Sequence, residues 1–331
     1  LTIAVSYHET VNVLQGLNWV AASPFARAEW FALLAASATR PVLVALAQDE
    51  RGAMAALPLI QAETRVEPLA NWYSFTFTPL LSEGADAAAL LHAVARDLQR
   101  HARRVTLWPL GAEDEMASDI ESAFKRAGWT CFLTNCDINH ILPVAGRSYA
   151  EYLATRPGPL RTTLKRKSKR IEVRIITFFY DDTWNIYEDI YAHSWKPSEG
   201  DPCLLRAFAR QEGCAGRLRM ALGIHEGRPV AAQFWTVEAG TAWIHKLAHR
   251  QDADHLSAGS VLTAALMEQV IDRDGVALVD FGTGDDPYKA DWMDEKRVRF
   301  RLDCHNPKTV ASWPHIAHAA LRRLATRSSA G

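Results

Sequence analysis

The sequence predicts an α/β protein with a mixed sheet, built from one kind of unit twice over. Three observations carry this. The chain has 331 residues, 48% of them hydrophobic, enough for a sizeable core and suggestive of two domains. Apolar runs of strand length alternate with amphipathic helical stretches. Two segments, one in each half, also read alike. A turn glycine, Gly52 or Gly227, is followed by a serine, Ser82 or Ser257, and both pairs are 175 positions apart.

The elements follow in order. "RPVLVALAQDERGAMAALPLIQA" predicts a hairpin around Asp49–Gly52, and "LLSEGADAAALLHAVARDLQRHARRVTLWPLG" a helix starting near Ser82 and a strand over Val105–Trp108. Pro143 to Ser148 reads as a boundary. It gives units over 1–142 and 143–312, then a terminal surface helix and frayed tail over 313–331. A short helix at Tyr149–Thr155 stops at Pro157–Gly158–Pro159, and a basic helix runs from Leu160 to Ile171. "VRIITFFY" is a strand and "DTWNIYEDIYAHSW" an amphipathic helix, followed by a helix over Cys203–Glu212. Three strands linked by tight turns come next: Arg217–His225, Pro229–Glu238 and Thr241–Ala248. A helix beginning near Ser257 and a strand over Val276–Phe281 complete the second repeat.

Bulk properties bound the function. A net charge of −1 excludes a chain that binds nucleic acid with its whole surface. Five scattered cysteines, none in a C-x-x-C, argue against a disulfide framework or a zinc site, and no other metal-ligand spacing is present. The N-terminal stretch is interrupted by His8, Glu9, Asn12 and Asn18, so no signal peptide is expected, and no apolar run reaches the ~18–20 residues of a membrane span. The expected setting is a reducing cytoplasm, with peripheral contact at the inner membrane compatible with it.

"LVDFGTGDDPYKADWM", Leu278 to Met293, invites a methyltransferase reading, because a strand ending in Asp precedes Gly282 and Gly284. The third glycine of a nucleotide loop is missing, Pro287 follows instead of a helix entry, and only 47 residues remain for the rest of a doubly wound sheet. The glycines instead end a buried strand with a turn that delivers Asp285, Asp286, Tyr288 and Lys289 to a cleft.

A three-strand meander, a loop, a helix and a parallel strand resemble the GNAT acyltransferase fold. From "GRPVAAQFWTVEAG" through "HLSAGSVLTAAL" to "DFGTGDDPYKADW", the words resemble the acetyltransferase domain of the CelD/BcsL-like and FemAB-like proteins. The preceding "RTTLKRKSKRIE" fits as well. Members of that branch carry two GNAT units, in agreement with the repeat. The resemblance implies two tandem GNAT-like acyl-CoA N-acyltransferase units, the first degenerate. It also implies transfer of an acyl group from acyl-CoA, or an acyl-carrier protein, to an amine, with no metal. Two acceptor classes follow from it: a long-chain, sphingoid-like lipid amine, or an amino sugar of an envelope polysaccharide.

The resemblance places the donor's pantetheine arm along Lys246, Leu247 and Ala248, and its pyrophosphate on Leu256, Ser257, Ala258, Gly259 and Ser260. The family's basic residue and second glycine are absent from this loop, and Ser257 equally reads as a helix cap. Alternation along "WIHKLAHR" puts His245, Leu247 and His249 on one strand face and Ile244, Lys246 and Ala248 on the other. His245 is a candidate base by its ordinary pKa and Glu199 a second one. Tyr288 is the acid for the departing thiolate by resemblance. Asp280 is a further catalytic candidate, or it orients a neighbour. Asp285 and Asp286 suit an ammonium or cap a helix, and Lys289 suits a phosphate or carboxylate. Trp195 and Lys196, with His193, sit on a loop that borders the acceptor pocket in GNAT-like chains. Arg161, Lys165, Arg166, Lys167, Lys169, Arg170 and Arg174 face one acid, Glu172, so this run wants anions. Arg161, Lys165 and Arg166 are its substrate-binding candidates.

Two other classes stay open. A FemAB-type transferase using aminoacyl-tRNA would suit the basic helix, and this is the one reading with a nucleic-acid partner. A non-catalytic binding module on a GNAT scaffold would need neither base nor acid. Glu83 and Asp86 near Ser82 would repel a pyrophosphate, so the first unit is expected to bind no donor.

Overall fold

A computed structural model describes residues 2–328. The chain divides into two compact units, residues 1–137 with 297–331, and residues 138–296. The first stretch runs β1 (Ile3–His8), α1 (Ala28–Ala36), β2 (Val42–Asp49), β3 (Met54–Ala62), β4 (Arg65–Pro68), β5 (Leu80–Leu81), α2 (Ala87–Leu98), β6 (Arg104–Gly111), α3 (Met116–Arg126) and β7 (Thr130–Pro143). The second runs α4 (Tyr149–Ala154), α5 (Gly158–Lys167), β8 (Glu172–Ile176), α6 (Asp181–Ala192), α7 (Pro202–Cys214), β9 (Leu218–His225), β10 (Arg228–Glu238), β11 (Thr241–His249), α8 (Ala258–Glu268), β12 (Leu278–Thr283), β13 (Glu295–His305) and α9 (Trp313–Ser328).

The repeat is visible in the strand order. The first unit has β1-β2-β3-β4-β6-β13 and the second β8-β9-β10-β11-β12-β7. In both, an antiparallel meander leads to one parallel pair, β4 with β6 and β11 with β12, and then to an antiparallel last strand. The last strands are exchanged. β7 follows the first repeat in sequence yet pairs with β12, and β13 follows the second yet pairs with β6. This is why residues 297–312, placed in the second unit by the sequence reading, cluster with the first. Arg299 to His305 lie in register with Gly111 to Arg104, and Asp303 accepts hydrogen bonds from Arg104 and Thr106.

Local chemistry explains the elements of the second unit. The two-residue turns Glu226–Gly227 and Ala239–Gly240 have positive φ at both positions, the twist that tight hairpins require. α4 starts at a reciprocal capping box between Ser148 and Glu151, and α7 at an Asp201 cap followed by Pro202. The basic helix ends at Lys167, and Ser168–Arg170 tighten into a 3-10 turn. α6 and α7 cover one face of the sheet, where Trp184 and Phe208 meet Phe234 edge-on. α8 covers the other, with Leu262 and Leu266 in one cluster with Trp235 and Ile244. In the first unit, α2 begins at Ala87 rather than near Ser82. Asp86 caps it through the Ala89 amide, while the Ser82 hydroxyl accepts from the Met54 amide. The predicted terminal surface helix is α9; the frayed end, residues 329–331, lies outside the described residues.

Candidate active site

The site begins where two parallel strands separate. β11 and β12 pair at Thr241↔Leu278, Ala242↔Val279 and Trp243↔Asp280, and the ladder ends there. β11 runs on to His249 beside β10, whereas β12 turns off through Gly282 and Gly284, both with positive φ. Just past the separation lies a β-bulge. The β10–β11 register jumps from Phe234↔Lys246 to Trp235↔Ile244, leaving His245 as the extra residue.

The bulge overturns the simple alternation read from "WIHKLAHR". His245 and Lys246 both turn toward α6 and α7. The His245 ring stacks on Phe234 at 4.9 Å and meets Phe208 edge-on, and its Nε2 lies 2.8 Å from the Thr236 hydroxyl. Lys246 Nζ donates to Glu199 Oε1 at 2.9 Å and lies 5.6 Å from the Tyr191 ring centre. Burial lowers the Lys246 pKa, and the Glu199 carboxylate opposes that shift.

On the other sheet face, α8 starts without a side-chain cap. Ser257 occupies the N-cap position in the left-handed region at φ 52°, but its side chain makes no cap bond, which corrects its reading as a capping serine. The first-turn amides have no intrahelical acceptor, and no acidic residue lies among those residues. A buried polar chain fixes this end. The Gln233 amide donates to Gly259 O at 2.8 Å and Thr263 Oγ1 at 2.7 Å, and Trp235 Nε1 donates to Gln233 Oε1. Beside Gly259 lies His249, whose Nε2 is 2.7 Å from Asp254 Oδ1 and whose ring packs on Trp195 at 4.2 Å. Residues with free amides, next to a strand edge and clear of carboxylates in the first turn, fit the pyrophosphate and pantetheine of coenzyme A.

A cleft of about 610 Å³ opens between α6, α7 and the loop joining them. Trp184, Tyr187 and Tyr191 line it from α6, Leu205 from α7, and Lys196 and Glu199 from the loop. Arg206 and Glu188 also line it and hold each other, with Glu188 further bonded by Trp184 Nε1. The Lys196 pKa is pushed down to about 8, first by burial and then by the Lys246 charge, against the pull of Glu199 and Asp286.

The turn after β12 is held from within. Asp280, 1% exposed, accepts from Asn139 Nδ2 and from the Gly282 amide. Lys289, 4% exposed, donates to the carbonyls of Thr283 at 2.5 Å and Gly284 at 3.0 Å, with Gly282 O at 3.4 Å. Asp285 is bonded to buried His140 and to Lys296, and these partners hold its pKa below the usual carboxylate range. Asp286 is exposed. Tyr288, about half exposed, packs edge-on against Phe281; burial and then the Asp286 charge push its pKa up to about 12.

Residues 151–290 match the family model described as an acetyltransferase (GNAT) domain. The match spans fewer than half of the chain's residues and lies wholly within the second unit. Solved structures share the fold of nearly the whole chain at low identity. FemX matches with a TM-score of 0.62 and 8% identity, over 92% of this chain and 97% of that one. The C-terminal domain of a protein assigned as lysylphosphatidylglycerol synthetase from Agrobacterium fabrum gives 0.57 and 15%, over 89% and 90%. L-PGS from Bacillus licheniformis gives 0.53 and 14%, over 85% and 88%. No curated protein matches the sequence. The α/β class with a mixed sheet is therefore the fold of this protein, with the GNAT match in the second unit and the same strand order in the first.

Within the matched residues, the predicted site residues separate into groups. Lys246, Glu199 and Lys196 meet at the cleft. Trp195 joins the loop to the α8 start through His249 and Gly259, beside Leu247. Leu256 and Ala258 are buried under the start of α8, and Ala248 is buried in β11. Arg161, Lys165 and Arg166 are exposed on α5, which packs on α8 through Leu164, while Lys167 Nζ donates to His255 O in the loop before α8. Two candidates fall outside the cleft for physical reasons. Asp280 is enclosed in the sheet by the groups it bonds, and the Lys289 ammonium is spent on turn carbonyls instead of reaching a substrate anion. Sequence reasoning missed Gln233, a lone amide inside an apolar strand. It also read "WNIYEDIY" only as an amphipathic helix, although Trp184, Tyr187 and Tyr191 at helical spacing mark one face. Among the described residues, no helix is long and apolar enough to cross a membrane, and no His/Cys/Asp/Glu group is placed to hold a metal ion.

Proposed function

We propose that this protein is an N-acyltransferase that moves an acyl group from coenzyme A to an amine. The observation that carries the reading is the uncapped start of α8 beside the separation of β11 from β12. In this reading the amides of Ala258, Gly259 and Ser260 hold the pyrophosphate, and the β11 edge at Lys246, Leu247 and Ala248 holds the extended arm. The acceptor amine enters from the α6–α7 cleft. Glu199 takes the proton the ammonium loses, as the nitrogen attacks the thioester carbonyl. The C–S bond breaks, and Tyr288, protonated at neutral pH, donates to the departing sulfur. His245, wedged between two phenylalanines, orients β11 at the bulge and exchanges no proton. The acceptor classes implied by the sequence, a long-chain amine and an amino sugar, both suit a cleft with an aromatic wall.

The test is thermal stabilisation by coenzyme A and an acetyl-to-palmitoyl series. A donor at 100 times its Kd adds ~2.7 kcal/mol, moving Tm by a few degrees. Absence of any shift, together with no thioester consumption across an amine panel, sinks the reading. A second reading has one observation behind it. The exposed cations of α5 flank the donor loop, to which Lys167 is bonded, and this arrangement suits an aminoacyl-tRNA donor. Activity abolished by ribonuclease would favour it over coenzyme A.

A further inference from the structure

The charges acting on Lys196, on the cleft wall, do not balance. With Lys246 and Lys289 it makes three ammonium groups, against two carboxylates, Glu199 and Asp286. Two of the three are satisfied. Lys246 is paired to Glu199, and Lys289 is bonded to backbone carbonyls. Lys196 has no hydrogen-bond or ion-pair partner for its ammonium among the described residues, and lies 5.6 Å from the Trp195 ring centre. The remaining charged groups on the cleft wall, Glu188 and Arg206, neutralise each other. A cation desolvated among aromatic rings with no carboxylate in contact is costly, and the cost is relieved when a ligand supplies one.

We propose that Lys196 receives a carboxylate of the acceptor, so that the acceptor is an amine that also bears a monoanionic group, with its apolar or aromatic body against Trp184, Tyr187 and Tyr191. This rests on the acyltransferase reading and narrows it. One unpaired ammonium matches one negative charge, not the double charge of a phosphate monoester. Amino acids and acidic amino sugars satisfy the requirement; a plain long-chain amine brings a further cation to surroundings already positive, and does not. The depressed Lys196 pKa agrees with the geometry, since its causes are burial and the neighbouring Lys246. An anion restores the charged form, so binding takes up a proton near pH 8 and weakens above it.

The experiment uses the full chain and three matched probes: L-phenylalanine, which has both groups; phenethylamine, which lacks the carboxylate; and hydrocinnamate, which lacks the amine. Binding is measured by calorimetry at pH 7 and pH 9, in buffers of different ionisation enthalpy. Phenylalanine is expected to bind about ten- to a hundredfold more tightly than phenethylamine, the range of a charge-assisted hydrogen bond. The preference is expected to shrink at pH 9, to vanish in Lys196→Met, and to survive in Lys196→Arg. Equal binding of the two amines, a preference that persists in Lys196→Met, or no binding of any probe overturns the proposal. Coenzyme A binding to the same variants is the control. It stays intact if only the acceptor inference fails, and is missing from the parent protein if the acyltransferase reading fails.

Discussion

The two units carry the same strand order but finish the equivalent helix start in opposite ways. In the first, Asp86 lays its carboxylate on the Ala89 amide, and Glu83 stands just before it. In the second, Ser257 takes a left-handed backbone, offers no cap, and leaves the first turn of α8 without a carboxylate. A helix start attracts anions through free amides and the helix dipole. One unit satisfies that demand with its own side chain; in the proposed function the other leaves it for a ligand. On that reading a duplicated fold separates scaffold from site by a few residues at one position, and those residues are where the comparison can be broken.

The largest effect is expected from the support beneath the open helix start. Gln233→Ala removes two donor contacts to α8 and leaves Trp235 Nε1 without its acceptor in a sealed core. A stability loss of about 2–4 kcal/mol follows from the lost bonds plus the cavity, measurable by urea unfolding with an unchanged m-value. Next comes transplanting the first unit's device into the second. Ser257→Asp puts a carboxylate at the α8 start, in a backbone region that aspartate tolerates. It is expected to weaken coenzyme A binding about tenfold or more, the ~1–2 kcal/mol of a charge at a helix terminus, while leaving Tm within a few degrees. Undiminished affinity would mean that this helix start is not the donor site. The reciprocal change, Asp86→Ala, should cost about 1 kcal/mol of stability through the lost cap and leave donor binding untouched.

The contrast was legible only in part from sequence. Strands, hairpins, the repeat and the meander announce themselves through periodicity and turn residues, so the β9–β11 boundaries lie within a residue or two of expectation. Glu83 and Asp86 were readable as hostile to a phosphate because charge is written in the residue type. What could not be read is whatever depends on register. The bulge at His245 places neighbouring residues on one face, and no local pattern in "WIHKLAH" encodes it, because it is defined against β10. Likewise, Asp280 and Lys289 look like site residues by type. Their partners, Asn139 and the carbonyls of a turn, come into reach only in the folded chain. The exchange of β7 and β13 is a long-range pairing choice with no local signature.

The smallest effect concerns the cleft rather than the helix starts, and it asks whether the second unit holds its lysine at a cost. Lys196 titrates near 8 in the folded protein, against an ordinary value of 10.5, because burial and Lys246 disfavour its charge. The unfolded chain therefore holds this proton more tightly than the folded one. Between pH 8 and pH 10.5 the unfolded state binds more protons, so this group makes stability rise with pH across that window. Below pH 8 both states are protonated and the contribution is flat, with the folded state carrying the full penalty. Solvent at the cleft mouth screens the charge, so the gain is expected to be about 1 kcal/mol or less. Urea midpoints at pH 7.5 and 9.5 should show that gain in the parent protein and lose it in Lys196→Met, which should also be the more stable protein at the lower pH. An identical pH slope in both would mean that the ammonium is solvated, and that the cleft stores no charge for a ligand to neutralise.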